Sequence, residues 1–285
     1  MHLRLDPRRF TLGLHGLALL RGWPFGDADE AAGRLREMSS LLERDVDAEE
    51  LIDATGVDLD AAYEAWATTY DELSNALIEH EEPALRAIVE RFAPGDALDA
   101  ACGTGRVAAM LVERGHRVVG VDTSPAMLAK AGAKQLEVDL RTGALDHLPL
   151  ADDSVDLAVC ALALTHAEDL TGPMGELARV TRPNGVVVVS DVHPFAVATG
   201  AHAGFRRDDG ERMVTRNHVH WHGAYVRAAS AAGLTVDDCQ EVLVGESFIT
   251  ELRDVATRGP ARDGLLGLPL VLLWVFRKGP ARPAR

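Results

Sequence analysis

The chain has 285 residues, 47% of them hydrophobic, which allows a sizeable buried core in one or two domains. Against 29 basic side chains stand 44 acidic ones, a formal net charge of −15 that opposes phosphate backbones and anionic lipid, so neither nucleic acid nor a membrane is an expected partner. Cys102, Cys160 and Cys239 show no C-x-x-C spacing and lie in or beside predicted strands; buried, reduced thiols in a cytoplasmic chain are expected.

Residues 11–20 are apolar and follow Arg4, Arg8 and Arg9, but His15 interrupts them, Asp6 precedes them and no small-residue cleavage pattern follows. The stretch is too short to span a bilayer, and export is not expected. Pro24, Gly26 and Asp27 make a break before a predicted helix at 28–42. A short acidic connection then leads to residues 51–55, ended by Gly56. Asp58 or Asp60 is placed to cap a helix running through Leu77, with Tyr63, Trp66, Tyr70, Leu73 and Leu77 on one face. Pro83 is placed to start another helix, with Leu85, Ile88, Val89 and Phe92 at helical spacing, and Pro94-Gly95 to end it.

The stretch 97–106 reads as a short buried strand that breaks at Gly103 and Gly105 and opens a helix at 107–113. Without a Cβ, these glycines let backbone approach a ligand closely and take positive φ. Asp99 sits on the strand before the turn, and Asp122 ends the next strand, 117–121, where a carboxylate takes two ribose hydroxyls in a doubly wound sheet. A nucleoside at the carboxyl ends of parallel strands is therefore expected. Thr123 or Ser124 caps the following helix, with Pro125 in its first turn and Met127 and Leu128 toward sheet or ligand. Further strands are expected at 136–140, 155–160 and 186–191, the fourth apolar as a strand covered on both faces should be. A helix at 221–232 ends at Gly233, strands follow at 235–242 and 270–277, and 281–285 reads as a loose tail.

Gly103-x-Gly105-x-x-Ala108 also fits the dinucleotide fingerprint, a weak signal by itself. Leu98-Asp99-x-x-Cys102-Gly103-Thr104-Gly105, however, resembles motif I of the class I S-adenosylmethionine-dependent methyltransferases. Leu148-Pro149-Leu150-Ala151-Asp152-Asp153-Ser154-Val155-Asp156-Leu157 is similar to that family's entry into strand four. Arg182-Pro183-Asn184-Gly185 before Val186 to Val189 is similar to its turn into strand five. The three stand in the family's order and cover roughly residues 60–240, far more specific than any one alone.

The resemblance implies an α/β fold: a doubly wound, seven-stranded, mostly parallel sheet with the last two strands paired antiparallel. Residues 1–75 would be an N-terminal helical extension or lid. Residues 76–278 would be the cofactor-binding domain, with a substrate-covering insertion near 196–220, and 279–285 the tail. The implied cofactor is S-adenosylmethionine, leaving as S-adenosylhomocysteine. Its implied contacts are Tyr70, Asp99, Ala101, Gly103, Gly105, Asp122, Thr123, Met127, Ala144, Leu145 and Ala161. Trp66-Ala67-x-x-Tyr70-Asp71 resembles a helix that in many members packs an aromatic residue over the sulfonium. In the loop after the third strand, Thr142-Gly143-Ala144-Leu145, the family usually carries an acidic residue after the glycine; here that position is Ala144, so either backbone alone holds the adenine edge or Asp146 or Asp139 substitutes. The resemblance is to the small-molecule branch, which implies a small-molecule acceptor and a monomer or homodimer.

Methyl transfer needs alignment, plus a base where the acceptor must lose a proton. His166 after strand four and His193 after strand five are the candidate catalytic residues, because both strand ends open on the ligand crevice and histidine titrates near neutrality. Asp169 and Asp191 are weaker candidates. His218, His220 and His222 alternate, yet no carboxylate pattern of a metal-dependent enzyme accompanies them, and no metal is expected. The alternatives are a cofactor-binding protein of this fold that catalyses another reaction or assists a partner, and an NAD(P)-dependent oxidoreductase.

Overall fold

The computed structural model describes residues 1–45, 51–71, 75–207, 209–252 and 255–281; the acidic connection at 46–50, Leu73 and the tail residues 282–285 lie outside them. The chain forms two compact units, Met1–Gly56 with Leu243–Pro269, and Val57–Val242 with Leu270–Arg285. In the first, β1 (His2–Leu5) runs antiparallel to β2 (Ile52–Gly56), with Leu3 opposite Ala54. The apolar run at 11–20 is the interior of α1 (Pro7–Gly22), which starts on an Asp6 cap accepting the Arg8 N–H at 2.9 Å. Asp27 caps α2 (Ala28–Glu43) in the same way, taking the N–H groups of Asp29 and Glu30. Among the described residues no helix is long and apolar enough to cross a membrane.

The second unit is built on a seven-stranded sheet. β3 (Asp96–Ala100), β4 (Arg117–Asp122), β5 (Val138–Thr142), β6 (Val155–Ala161) and β7 (Thr181–Val192) are its parallel part. β8 (Ala203–Arg206) and β9 (Arg212–Thr215) form an antiparallel hairpin within the expected insertion. β10 (Leu234–Leu243) and β11 (Pro269–Lys278) complete the sheet in the order β10-β11-β7-β6-β3-β4-β5, with β11 antiparallel to β7. Leu157, Ala158, Val159 and Cys160 of β6 and Val187, Val188 and Val189 of β7 are all buried, the burial on both faces that their apolar sequences require. Leu98, Leu177, Tyr225, Trp274 and Phe276 pack into the same core.

The helices of this unit are α3 (Leu59–Trp66), α4 (Ala76–Val89), α5 (Arg106–Glu113), α6 (Pro125–Ala133), α7 (Thr171–Val180), α8 (Pro194–Ala198) and α9 (His222–Ala231). Two expectations need correcting. The single helix through Leu77 is two: α3, capped by Asp58 through the Ala61 N–H, stops at Trp66, and α4 begins at Ala76 on an Asn75 cap, so Pro83 falls inside a helix instead of starting one. The unit boundary falls at Gly56, not after residue 75. The reason is packing: Trp66 of α3 stacks on Phe205 of β8 at 4.9 Å, and the Val57 N–H bonds the Val214 carbonyl at 3.0 Å. Cys102 and Cys160 are buried as expected, whereas Cys239, on the edge strand β10, is exposed.

The first unit also contains α10 (Glu246–Glu251) and α11 (Val255–Leu265). α11 packs along α1 because Gly264 has no side chain: a Cβ there would meet the Leu14 carbonyl oxygen at 2.8 Å. Arg21 closes the contact by donating to the Gly264 carbonyl at 2.8 Å.

Candidate active site

β4 and β5 lie on one side of β3 and β6 on the other, so strand order reverses at β3, and the loops leaving the carboxyl ends of β3 and β6 diverge there. A cavity of about 510 Å³ opens at that point, lined from the ends of β3, β4, β5 and β6 and from α3. Of the expected cofactor residues, Tyr70, Asp99, Ala101, Gly103, Asp122, Thr123, Ala144, Leu145 and Ala161 line it. Gly105 stands behind the wall as the left-handed residue (φ 84°) that starts α5, close against Ala131 of α6. Met127 does not line the cavity; it is fully buried in the core, one face of α6 being turned to the sheet.

The glycine turn is tied to the next strand by hydrogen bonds. Asp122 Oδ2 accepts the Gly103 N–H at 2.8 Å and Oδ1 accepts the Ser124 N–H at 2.9 Å. A carboxylate has about four lone-pair sites, so these bonds leave it room to accept a hydroxyl donor from the cavity. Burial raises the Asp122 carboxyl above the ordinary value, against its backbone hydrogen bonds. Asp99 has a different task from direct ligand contact alone: its Oδ2 takes the Ala108 N–H at 2.7 Å, an orphan donor of the first turn of α5, and burial pushes its carboxyl up to about 7. Ala101 and Leu162 hold positive φ (59° and 54°) without being glycine, and both line the cavity, where such strained backbone tends to collect.

At the Ala144 loop, Asp146 lines the cavity, whereas Asp139 pairs with Arg141 at 2.6 Å outside it. Of these two carboxylates, Asp146 alone is on the cavity wall. Arg106 is the only Lys or Arg among the described lining residues, and it is ion-paired with buried Glu81 at 2.9 Å, whose other oxygen accepts the Ser190 hydroxyl at 2.5 Å. Asp99, Asp122, Asp146, Glu168 and Asp169 all line the same space. That charge balance is hostile to a dinucleotide's pyrophosphate and favourable to a sulfonium, so the residues present fit S-adenosylmethionine.

His166 also lines the cavity, and its Nε2 lies 2.9 Å from the Tyr63 hydroxyl. Burial holds His166 below the ordinary histidine range, that is, neutral. His193, expected beside it, does not line the cavity. It caps α8, its Nδ1 accepting the Phe195 N–H at 3.1 Å, and its Nε2 turns to Glu241 at 3.2 Å. Asp191 is fully buried, accepting the Tyr225 hydroxyl at 2.7 Å. His193 Nε2, a nitrogen of His222 and a Glu241 oxygen lie within 4.8 Å of one another. With Nδ1 accepting a backbone N–H, however, the His193 proton sits on Nε2 and leaves no lone pair there for a cation. His218 and His220 are not part of that cluster. Tyr63, Leu162 and Arg106 are lining residues that the sequence reading did not assign to the site; the aromatic stripe at 63, 66 and 70 was the available signal for the first.

A family model described as a methyltransferase domain matches residues 98–189. The chain is 34% identical over 209 residues to a malonyl-[acyl-carrier protein] O-methyltransferase from Dechloromonas aromatica, covering 71% of this chain and 76% of that one. To the protein of the same name from Serratia marcescens it is 37% identical over 122 residues, 42% of this chain, and there the match spans about half of the relative (48%). The structure of an S-adenosylmethionine-dependent methyltransferase from Mesorhizobium loti superposes with a TM-score of 0.55 at 27% identity, covering 70% of this chain and 98% of that one. The chain belongs to the class I S-adenosylmethionine-dependent methyltransferases.

Proposed function

We propose that this chain transfers the methyl group of S-adenosylmethionine to a small-molecule acceptor held in the cavity at the ends of β3 and β6. The observation that carries the reading is that a single cavity is lined by Gly103, Asp122 and Asp146 together with Ala161, Ala163 and His166. Asp122 holds the ribose hydroxyls, the Gly103 turn keeps the backbone low against the ligand, and small Ala161 and Ala163 leave room for the methionine part. The bound cofactor supplies an activated methyl carbon. The protein supplies alignment, exclusion of water and a proton acceptor, His166.

A second reading, transfer to an acyl group carried by a protein, is favoured by the similarity to two proteins named malonyl-[acyl-carrier protein] O-methyltransferase. Calorimetric titration with S-adenosylmethionine and with NADH, followed by mass analysis for a gain of about 14 units across free metabolites and acyl-carrier thioesters, separates these possibilities. Binding of NADH in place of S-adenosylmethionine would overturn the methyl-transfer reading. A gain only on the thioester would select the second reading.

A further inference from the structure

The Tyr63–His166 contact has consequences for the acceptor. Tyr63 comes from α3 and His166 from the short turn after β6, 103 residues apart in sequence, yet hydroxyl and Nε2 meet at 2.9 Å inside the cavity with their rings at 78°. The groups facing His166 are this hydroxyl, the Arg216 main chain and His218, and among the described residues no carboxylate bonds the ring. The relay uses the tautomer with its proton on Nδ1, in which the Nε2 lone pair accepts the Tyr63 O–H. With its O–H given to His166, the Tyr63 oxygen keeps lone pairs to accept a donor in the cavity it lines. Burial pushes the phenol upward and the imidazole downward, so both are neutral at rest.

The charge of the cavity adds a second constraint. Arg106, the one lining cation among the described residues, is held by Glu81 at 2.9 Å and Glu82 at 3.5 Å, while Asp146, Glu168 and Asp169 stand on the wall. An anionic acceptor would find no free cation on the protein wall, only the sulfonium of the cofactor. We propose that the acceptor is an uncharged molecule presenting an acidic hydroxyl, a phenol or an enol, and that Tyr63 passes its proton to His166. The inference rests on the methyl-transfer reading above. It selects phenols and enols over aliphatic alcohols because a neutral imidazole is a weak base and needs an acidic partner.

The step balances. The acceptor's hydroxyl proton goes to Tyr63 Oη as the Tyr63 proton goes to His166 Nε2. The acceptor oxygen's electron pair forms the bond to the methyl carbon, and the methyl–sulfur bond breaks with its pair staying on sulfur. One positive charge passes from sulfonium to imidazolium, so the cavity's net charge does not change.

The test has two arms. In the first, cofactor-free protein is titrated calorimetrically with 1-naphthol and with 1-naphthoate, which share a shape and differ in charge. Naphthol is expected to bind at least tenfold more tightly, and equal or tighter binding of naphthoate would overturn the acceptor class. In the second, wild type, Tyr63→Phe and His166→Gln are compared on 4-methylphenol and on 4-nitrophenol, which ionises near neutrality unaided. Both variants are expected to keep S-adenosylmethionine affinity and to lose about a hundredfold in kcat on 4-methylphenol, a general-base effect of ordinary size. The loss is expected to shrink below tenfold on 4-nitrophenol. The same loss on both phenols would make Tyr63 a scaffold residue and overturn the relay. Transfer to carboxylates or amines in preference to phenols would overturn the acceptor class while leaving methyl transfer standing. Failure of the wild type to bind S-adenosylmethionine would overturn both.

Discussion

The Gly103 N–H donates to Asp122 Oδ2 at 2.8 Å, so the turn after β3 and the acidic end of β4 are a single hydrogen-bonded unit. Neither can move without the other. Gly103 holds φ 52° and a Cβ built on it meets nothing within 4 Å, whereas Gly105 holds φ 84° and its Cβ would come within 3.3 Å of the Ala131 side chain.

These two glycines therefore respond differently to alanine. Gly103→Ala is expected to cost about 1 kcal/mol of stability, the left-handed penalty alone, and to weaken S-adenosylmethionine binding by placing a methyl in the cavity. Gly105→Ala is expected to cost about 2 kcal/mol or more, since the helix contact must also give. Urea midpoints of the two variants check the order; a smaller loss for Gly105→Ala would contradict the packing described at α5 and α6.

His193→Ala tests the placement of that side chain outside the cavity. Removing the α8 cap is expected to cost about 1 kcal/mol of stability while cofactor affinity stays at the wild-type value. Thermal denaturation and calorimetry measure the two effects. A tenfold loss of cofactor affinity would return His193 to the cavity.

Asp191 gives the fold a pH dependence. Burial pushes its carboxyl up to about 7 from an ordinary 3.8, against the lowering effect of the Tyr225 hydroxyl. The folded chain thus binds a proton that the unfolded chain has released, so this contribution to stability is fully present below about pH 4 and is lost as pH rises to about 7. Asp191→Asn keeps an acceptor for Tyr225 and removes the ionisation. Urea unfolding across pH 4 to 8 is expected to show a shallower decline for the variant than for wild type. Parallel curves would mean that Asp191 stays ionised in the fold.

Much of the architecture was legible because some local chemistry has few alternatives. A strand that ends in Gly103-x-Gly105 and opens a helix can scarcely fold otherwise, and the valine-rich β7 can only be a covered strand. The distribution of site residues was harder to read. Tyr63 and Met127 both sit at helical spacings, and periodicity reports that a face is covered without saying whether by protein or by ligand; one lines the cavity and the other is core. His193 follows β7 as expected, but the cap it makes with Phe195 turns the ring away, a choice made by three-dimensional geometry. The stop of α3 at Trp66 was hidden for the same reason, since the aromatic stripe runs on past it toward Tyr70.

The central claim is that Asp122 and the Gly103 turn hold the adenosine of S-adenosylmethionine, and calorimetric titration of wild type and Asp122→Ala with that cofactor tests it most directly. The account predicts tight binding to wild type and a loss of about 1.5–3 kcal/mol in the variant, the worth of hydrogen bonds to a charged group. Unchanged affinity in a folded Asp122→Ala protein would contradict it.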